Sequence, residues 1–152
     1  MGFLDKIKGA VNAVTGNAAK VTIDYPKQAL AGDEIVVKIT AVSTGGEVKS
    51  KGCFVDVMGQ EQTHLSKTEN GTKTEMHESK ATYEHSFQIG EAFTLAANET
   101  KTWEGRVKLP AEAQPSYAGV HAKHIWQLRG RIEATGNDPD SGFVVLNVNK
   151  RN

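Results

Sequence analysis

The segment from Thr102 to Thr135, TWEGRVKLPAEAQPSYAGVHAKHIWQLRGRIEAT, decides the fold. Apolar and polar side chains alternate up to Pro110 and again over the last part, which is the pattern of strands with one buried face. Pro110 ends the first strand because it cannot donate a hydrogen bond to a neighbour, and a surface connection follows. The segment therefore predicts two tryptophan-bearing strands of one β-sandwich core. The predicted inward residues are Trp103, Val107, Leu109, His124, Trp126, Leu128, Ile132 and Ala134.

The same two-residue period begins at Ala19 and continues to the C-terminus, with no helical pattern between the strands. Turn-forming residues recur about every ten residues. We therefore predict an all-β, antiparallel, immunoglobulin-like β-sandwich of seven or more strands, as a single domain over residues 18–152. The last strand, around Val144 to Val148, is predicted to be buried on both faces. The polar residues 62–80, centred on Asn70-Gly71, predict either a hairpin or a long loop.

Residues 1–17 are predicted to form a short amphipathic helix that ends at Gly16-Asn17. Its apolar stripe either packs on the sandwich or docks on a partner or a membrane surface. Two lysines and one aspartate form a weak electrostatic anchor, so any peripheral membrane contact is expected to be weak. The stripe consists of Phe3, Leu4, Ile7, Val11 and Val14.

Composition excludes several classes of protein. The 152 residues carry 18 basic and 18 acidic side chains, so no long-range positive field attracts nucleic acid. No apolar run approaches the roughly 20 residues of a membrane span, and the N-terminus lacks the apolar core of a signal peptide. With Cys53 as the single cysteine, we expect a soluble, cytoplasmic protein without disulfides.

The histidines do not predict a metal site. His121 and His124 point to opposite sides of a strand, and His124 shares a face with Trp126, which favours a hydrogen-bonded core residue. His64, His77 and His85 are scattered in the sequence. We therefore expect no metal and no cofactor.

Two other motifs also have structural explanations. Asn137, Asp138 and Asp140 lack the spacing of a calcium loop and fit a hairpin turn equally well. Cys53 lies in an apolar strand, where burial would raise its pKa and leave it inert.

No catalytic constellation is evident, so we expect a protein that is not an enzyme. The alternative is a hydrolase or carbohydrate-active sandwich that uses Glu75, His77 and Glu78, two carboxylates that flank a histidine. Arg129 and Arg131 lie on the face opposite Trp126, either as a solvated sheet face or as a site for an anion or acidic peptide.

Several motifs occur in a recognisable order along the chain. They are the N-terminal helix leading to Ala19-Lys20-Val21, the turn Leu30-Ala31-Gly32-Asp33-Glu34, Leu95-Ala96-Ala97-Asn98-Glu99, Leu109-Pro110, Pro115-Ser116-Tyr117 and Ile125-Trp126-Gln127-Leu128. This order resembles the N-terminal domain of the arrestin-like superfamily and, within it, bacterial sporulation-control-type proteins. The resemblance implies an arrestin-like β-sandwich that is a non-enzymatic adaptor or regulatory protein-binding module and acts through strand edges, loops and the N-terminal helix. Such proteins usually carry a second, similar sandwich, whereas this sequence predicts one.

Because a single sandwich has unpaired edges, we predict a homodimer, formed by edge pairing or by burial of the N-terminal stripe. The protein partner itself is not named by the sequence, and a structural subunit of a larger assembly is the second alternative. The candidate partner-binding residues are Phe3, Leu4, Ile7, Val11, Val14, Tyr117, Arg129 and Arg131, of which Tyr117 either makes contacts or folds back over the core.

Overall fold

The computed structural model describes residues 19–152, which form ten strands. These residues contain no helix, and hence none that is long and apolar enough to cross a membrane. The predicted N-terminal helix and its apolar stripe lie outside the described residues. The strands are β1 (Ala19–Asp24), β2 (Gln28–Leu30), β3 (Glu34–Ser43), β4 (Val48–Glu69), β5 (Thr72–Gly90), β6 (Phe93–Leu95), β7 (Thr100–Lys108), β8 (Tyr117–Ala118), β9 (Ala122–Ala134) and β10 (Val144–Asn149).

The strands form two sheets, as expected for an all-β chain. The smaller sheet has the order β1-β3-β7, and the larger has the order β2-β10-β9-β4-β5, with β6 also on β4 and β8 on β9. The predicted antiparallel arrangement is confirmed for every strand pair of the described residues except one, since β2 runs parallel to β10. β2 is only three residues of the connection between β1 and β3, and so short a segment gives no signal for the direction of its neighbour.

The core lies between the two sheets and includes most of the inward residues that alternation predicts, with Trp103 and Ala134 only partly buried. Ile39 of β3 and Leu128 of β9 are fully buried from opposite sheets. The sheets approach closely at Gly130, where an added Cβ would lie 2.3 Å from Ile39 Cδ1. A larger residue at this position of β9 therefore requires the Ile39 side chain to move.

The two tryptophans belong to different sheets. Trp126 of β9 is buried, and its Nε1 donates a hydrogen bond to the Gln114 carbonyl at 2.7 Å, which ties the proline-rich connection to the core. Trp103 of β7 is partly buried and packs against Phe93, with ring centroids 4.6 Å apart.

The last strand is buried on one face, so the prediction of burial on both faces is wrong. Leu146 and Val148 are buried, whereas Phe143 is 41% and Val145 is 60% exposed. The outer face of the larger sheet is open at β10, and a valine-rich strand gives the same sequence pattern whether one or both faces are covered.

Residues 62–80 belong to a hairpin of two long strands, so the hairpin alternative is the correct one. Asn70 and Gly71 have φ values of 51° and 77°, which is the left-handed backbone of a two-residue hairpin turn. β4 pairs with β9 only as far as Thr63, and beyond this point the paired strands contact no third strand among the described residues. We call residues 64–77 the ribbon.

Candidate functional site

One face of the ribbon gathers three side chains that can bind a metal. His64 lies directly opposite His77, and Glu75 lies opposite Ser66, two residues along the same face. The two imidazole rings are stacked with centroids 4.3 Å apart and an interplanar angle of 4°. Glu75 places Oε1 4.0 Å from His64 Nε2 and Oε2 3.9 Å from His77 Nε2.

The expectation that these histidines are scattered is therefore wrong for His64 and His77. His64 lies six residues before Asn70, and His77 lies six residues after Gly71. A two-residue turn at Asn70-Gly71 places these two histidines opposite each other, so this dipeptide was the sequence signal for their pairing. His85 is separate from the cluster, because it lies opposite Val57 and packs edge-on against Phe87 at 4.5 Å.

A cavity of about 340 Å³ adjoins the two stacked histidines. Its other wall is the segment Gly119–Lys123, which includes His121. The His64 backbone N–H donates to the His121 carbonyl at 2.8 Å and holds this segment against the base of the ribbon. Three of the five histidines of the chain thus line one cavity.

The opposite face of the ribbon exposes two apolar side chains. Leu65 lies directly opposite Met76, and the two are 50% and 56% exposed. The β5 edge beside them is free of any other described strand, because β5 pairs only with β4. A row of backbone N–H and C=O groups along β5 therefore faces outward.

A second polar region lies on the outer face of the larger sheet, around Asp56. Both Asp56 oxygens are used: Arg129 donates to Oδ2 from Nε (3.0 Å) and Nη2 (2.8 Å), and Arg131 donates from Nε to Oδ2 (2.9 Å) and from Nη2 to Oδ1 (3.2 Å). Ser86 Oγ also donates to Oδ1 at 2.6 Å. Burial alone would raise the pKa of Asp56, but the hydrogen bonds from Arg131, Ser86 and Arg129 lower it.

The predicted partner-binding arginines are thus held by an internal carboxylate. Arg129 also stacks on Phe143 and Arg131 on Phe54, each with the guanidinium carbon 4.6 Å from the ring centroid. An acidic peptide or an anion at this site would have to compete with Asp56, which is only 8% exposed. Sequence reasoning missed Asp56, although a lone aspartate in the apolar run Cys53–Val57 was a signal for it.

Tyr117 and His124 lie on adjacent strands. Tyr117 is 42% exposed, and its hydroxyl lies 3.4 Å from Glu61 Oε2. His124 is buried, with Nε2 2.7 Å from Thr82 Oγ1, as expected for a core histidine. Burial lowers the pKa of His124, while the Pro115 carbonyl and the charge of Glu61 oppose this shift.

The acidic turn after β9 uses its carboxylates within the protein. Asp138 accepts hydrogen bonds from the Ala134 N–H (3.0 Å) and from Arg131 Nη1 (3.3 Å), and Asp140 accepts from the Gly142 N–H (2.7 Å). These contacts are those of a hairpin turn.

Cys53 is buried as expected, and burial, opposed by the charge of Arg131, raises its thiol pKa to about 12. The structure also separates the trio of the hydrolase hypothesis. Glu78 lies opposite Thr63, on the ribbon face away from Glu75 and His77.

No family model matches the chain, and no curated protein matches it. Among solved structures, its two-sheet all-β fold is similar to that of Spo0M, a sporulation control protein from Bacillus subtilis, with a TM-score of 0.63 and 15% identity. The similarity covers 89% of this chain and 51% of that one, so this chain spans about half the length of Spo0M. The chain thus has a Spo0M-like fold.

Two more distant likenesses, both with TM-scores below 0.5, carry no weight for function. One is the CARDB domain of a Pyrococcus furiosus protein in complex with di-metal ions, with a TM-score of 0.43, 12% identity, and coverage of 86% of this chain and 87% of that one. The other is the alkylpurine DNA glycosylase AlkC of Pseudomonas fluorescens, bound to DNA containing an abasic site analog. Its TM-score is 0.45, with 14% identity and coverage of 93% of this chain and 35% of that one.

Proposed function

We propose that the chain is a non-enzymatic, adaptor-type protein-binding module on an arrestin-like β-sandwich, and that a second copy of the chain pairs with its free β5 edge. The observation that carries this proposal is the long β5 strand, which pairs with β4 alone among the described residues. An unpaired edge binds an extended strand through main-chain hydrogen bonds.

The non-enzymatic part of the proposal is supported by the partners of the titratable groups with shifted pKa values. Asp56 is held by two arginines, His124 contacts Thr82, and Cys53 is buried in the core. Each of these shifts has a cause within the protein, namely the burial or the hydrogen bonds of the group itself.

The outer part of β5 offers a regular edge from Thr72 to Ala81. The β4–β5 register shifts next to Ala81, where Thr82 is an extra residue on β5. Such a bulge interrupts an edge, so strand addition is best supported on the ten residues before it.

The side chains of this edge suit antiparallel pairing with a second copy when the register is centred on Met76. Met76 then faces Met76 of the second copy, Glu75 faces His77, and Lys73 faces Ser79. Registers centred on Glu75 or on Glu78 would instead place two carboxylates opposite each other, which is unfavourable.

The register centred on Met76 also accounts for the exposed apolar pair. Leu65 and Met76 of each copy would form one continuous row of four apolar side chains across the joined ribbons. Burial of these four side chains would add hydrophobic stabilisation to the dimer, beyond the main-chain hydrogen bonds of the paired edges.

The test is sedimentation of the full chain at micromolar to millimolar concentrations. We expect a dimer, and we expect Met76→Lys to weaken it by at least about tenfold, because two ammonium groups then meet at the two-fold axis. Val145→Lys is the matched control, since Val145 is an equally exposed apolar strand residue on β10. This variant should dimerise like the unmodified chain.

A strict monomer at high concentration would overturn the proposal. So would a dimer that survives Met76→Lys and dissociates on Ile7→Glu, because the contact would then lie on the N-terminal stripe. A larger closed assembly would favour the structural-subunit alternative instead.

A further inference from the structure

We infer that His64, Glu75 and His77 form a binding site for a divalent transition-metal ion, with zinc as the best-matched metal. The site lies within one chain and does not depend on the proposed dimer. The convergence of the three ligand groups carries the inference, and the adjoining histidine-lined cavity supports it.

One possible ligand atom from each of the three residues lies within 4.8 Å of the other two. Tetrahedral zinc, with ligands at about 2.0–2.1 Å, holds its ligand atoms about 3.3 Å apart. The distances from Glu75 Oε1 to His64 Nε2 (4.0 Å) and from Glu75 Oε2 to His77 Nε2 (3.9 Å) must therefore shorten by about 0.6–0.7 Å. The two imidazole rings, stacked at an interplanar angle of 4°, must also turn until each nitrogen lone pair points at the ion, and rotation of the exposed side chains provides both changes.

The separations are also too long for hydrogen bonds, so Glu75 does not saturate the imidazole nitrogens. The competing interaction at this carboxylate is the ion pair between Glu75 Oε1 and Lys73 Nζ at 3.3 Å. Both of its partners are exposed, and exposed ion pairs contribute little stability. A divalent cation bound by two imidazoles and one carboxylate would displace the lysine.

The cavity that adjoins His64 and His77 would give solvent access to a metal bound by these two residues. Its volume of about 340 Å³ has room for water on the ion, and His121 lines its far wall. Two histidines and one carboxylate with one open position is a known zinc ligand set. Calcium and magnesium prefer sites made of oxygen ligands alone, so the two nitrogen ligands select a transition metal.

The position of the site gives the metal a structural effect. An isolated two-stranded hairpin is marginally stable in water, and the ribbon has no third strand beyond Thr63 among the described residues. An ion held by His64 of β4 and His77 of β5 would join the two strands at the base of the ribbon.

The test is isothermal titration of the full, chelator-treated chain with zinc chloride. We expect one zinc per chain with a dissociation constant of about 10 μM or tighter. His64→Gln and His77→Gln should each weaken binding by at least about tenfold, and Glu75→Gln by less, because it keeps an oxygen donor but loses the charge. His85→Gln is the matched control, an exposed β5 histidine outside the cluster, and should leave binding unchanged.

Hydrogen exchange provides the second readout, since zinc should slow amide exchange within residues 64–77. Absence of saturable binding below about 100 μM would overturn the inference. Equal loss of binding in His85→Gln, protection confined to another part of the chain, or one zinc shared by two chains would overturn it as well. Sedimentation of the same samples reports the dimer separately, so either proposal can fail without the other.

Discussion

Replacement of Asp56 by asparagine tests whether the polar cluster on the larger sheet is a structural element. Asparagine keeps the shape of the side chain but removes the charge that faces Arg129 and Arg131. The side chains of Asp56 and Arg131 are 12% and 16% exposed, and Arg129 is 32% exposed, so water compensates only in part. Loss of one partner of a buried ion pair costs about 3–5 kcal/mol, and the partial exposure of Arg129 places this case near 3 kcal/mol.

The assay is urea and thermal unfolding at pH 7. For a domain of this size, a loss of about 3 kcal/mol lowers the melting temperature by about 6–12 °C. The matched control is Glu34→Gln, which removes the exposed Glu34–Arg106 ion pair between β3 and β7 and should cost less than about 1 kcal/mol. If Asp56→Asn costs no more than this control, the arginines are not held by Asp56 and the reasoning fails.

The pH dependence of the stability difference between the original chain and Asp56→Asn tests the direction of the Asp56 pKa shift. The folded-state pKa of Asp56 lies below its ordinary value of 3.8, so the unfolded chain takes up the proton first as pH falls. The stabilisation is therefore complete above about pH 4 and is lost as pH falls through the folded-state pKa. The difference between the original chain and Asp56→Asn should be constant from pH 7 to pH 5 and should narrow below about pH 4. A constant difference down to pH 2 would contradict the assignment.

Two further predictions concern the core. Gly130→Ala should destabilise the fold by about 1–3 kcal/mol in urea unfolding, because its Cβ meets Ile39 Cδ1. The cost should shrink in an Ile39→Val background, which removes that atom, and an unchanged cost would refute the contact. Burial holds the pKa of His124 in the folded protein below its ordinary value of 6.5. The contribution of the neutral imidazole to stability is therefore complete above about pH 6.5 and is lost as pH falls from there through the folded-state pKa. His124→Gln should therefore lose less stability than the original chain between pH 7 and pH 5, and equal losses in urea titrations would refute this.

The parts of the fold that follow from local alternation were predictable. The inward residues of β7 and β9 are those of the two-residue period. Alternation indicates the covered face of a strand only where polar residues mark the other face. It carries no information on strand direction, so it could not show that β2 runs parallel to β10, and the apolar run at the start of β10 hid the exposure of Val145.

The candidate sites depend on which strands pair with each other, and the two-residue pattern of the sequence carries no information about strand pairing. His64 and His77 come together only once residues 62–80 form a hairpin rather than a loop, and the sequence left both alternatives open. Asp56 meets Arg129 only through the register between β4 and β9. The outward position of both arginines was predictable, and the lone aspartate in the run Cys53–Val57 was visible, but the pairing of Asp56 with the two arginines was not.

The parallel pairing of β2 with β10 also bears on the order in which the chain can fold. The β4–β5 hairpin closes through a two-residue turn, and such hairpins form in about 1–10 μs. Ala29 and Val148, by contrast, pair across nearly the whole described chain, so their contact carries the largest loop-closure entropy of any strand pair. Earlier pairing of β4, β9 and β10 shortens that loop, and the edge formed by β2 is therefore the last part of the larger sheet for which ordering becomes favourable.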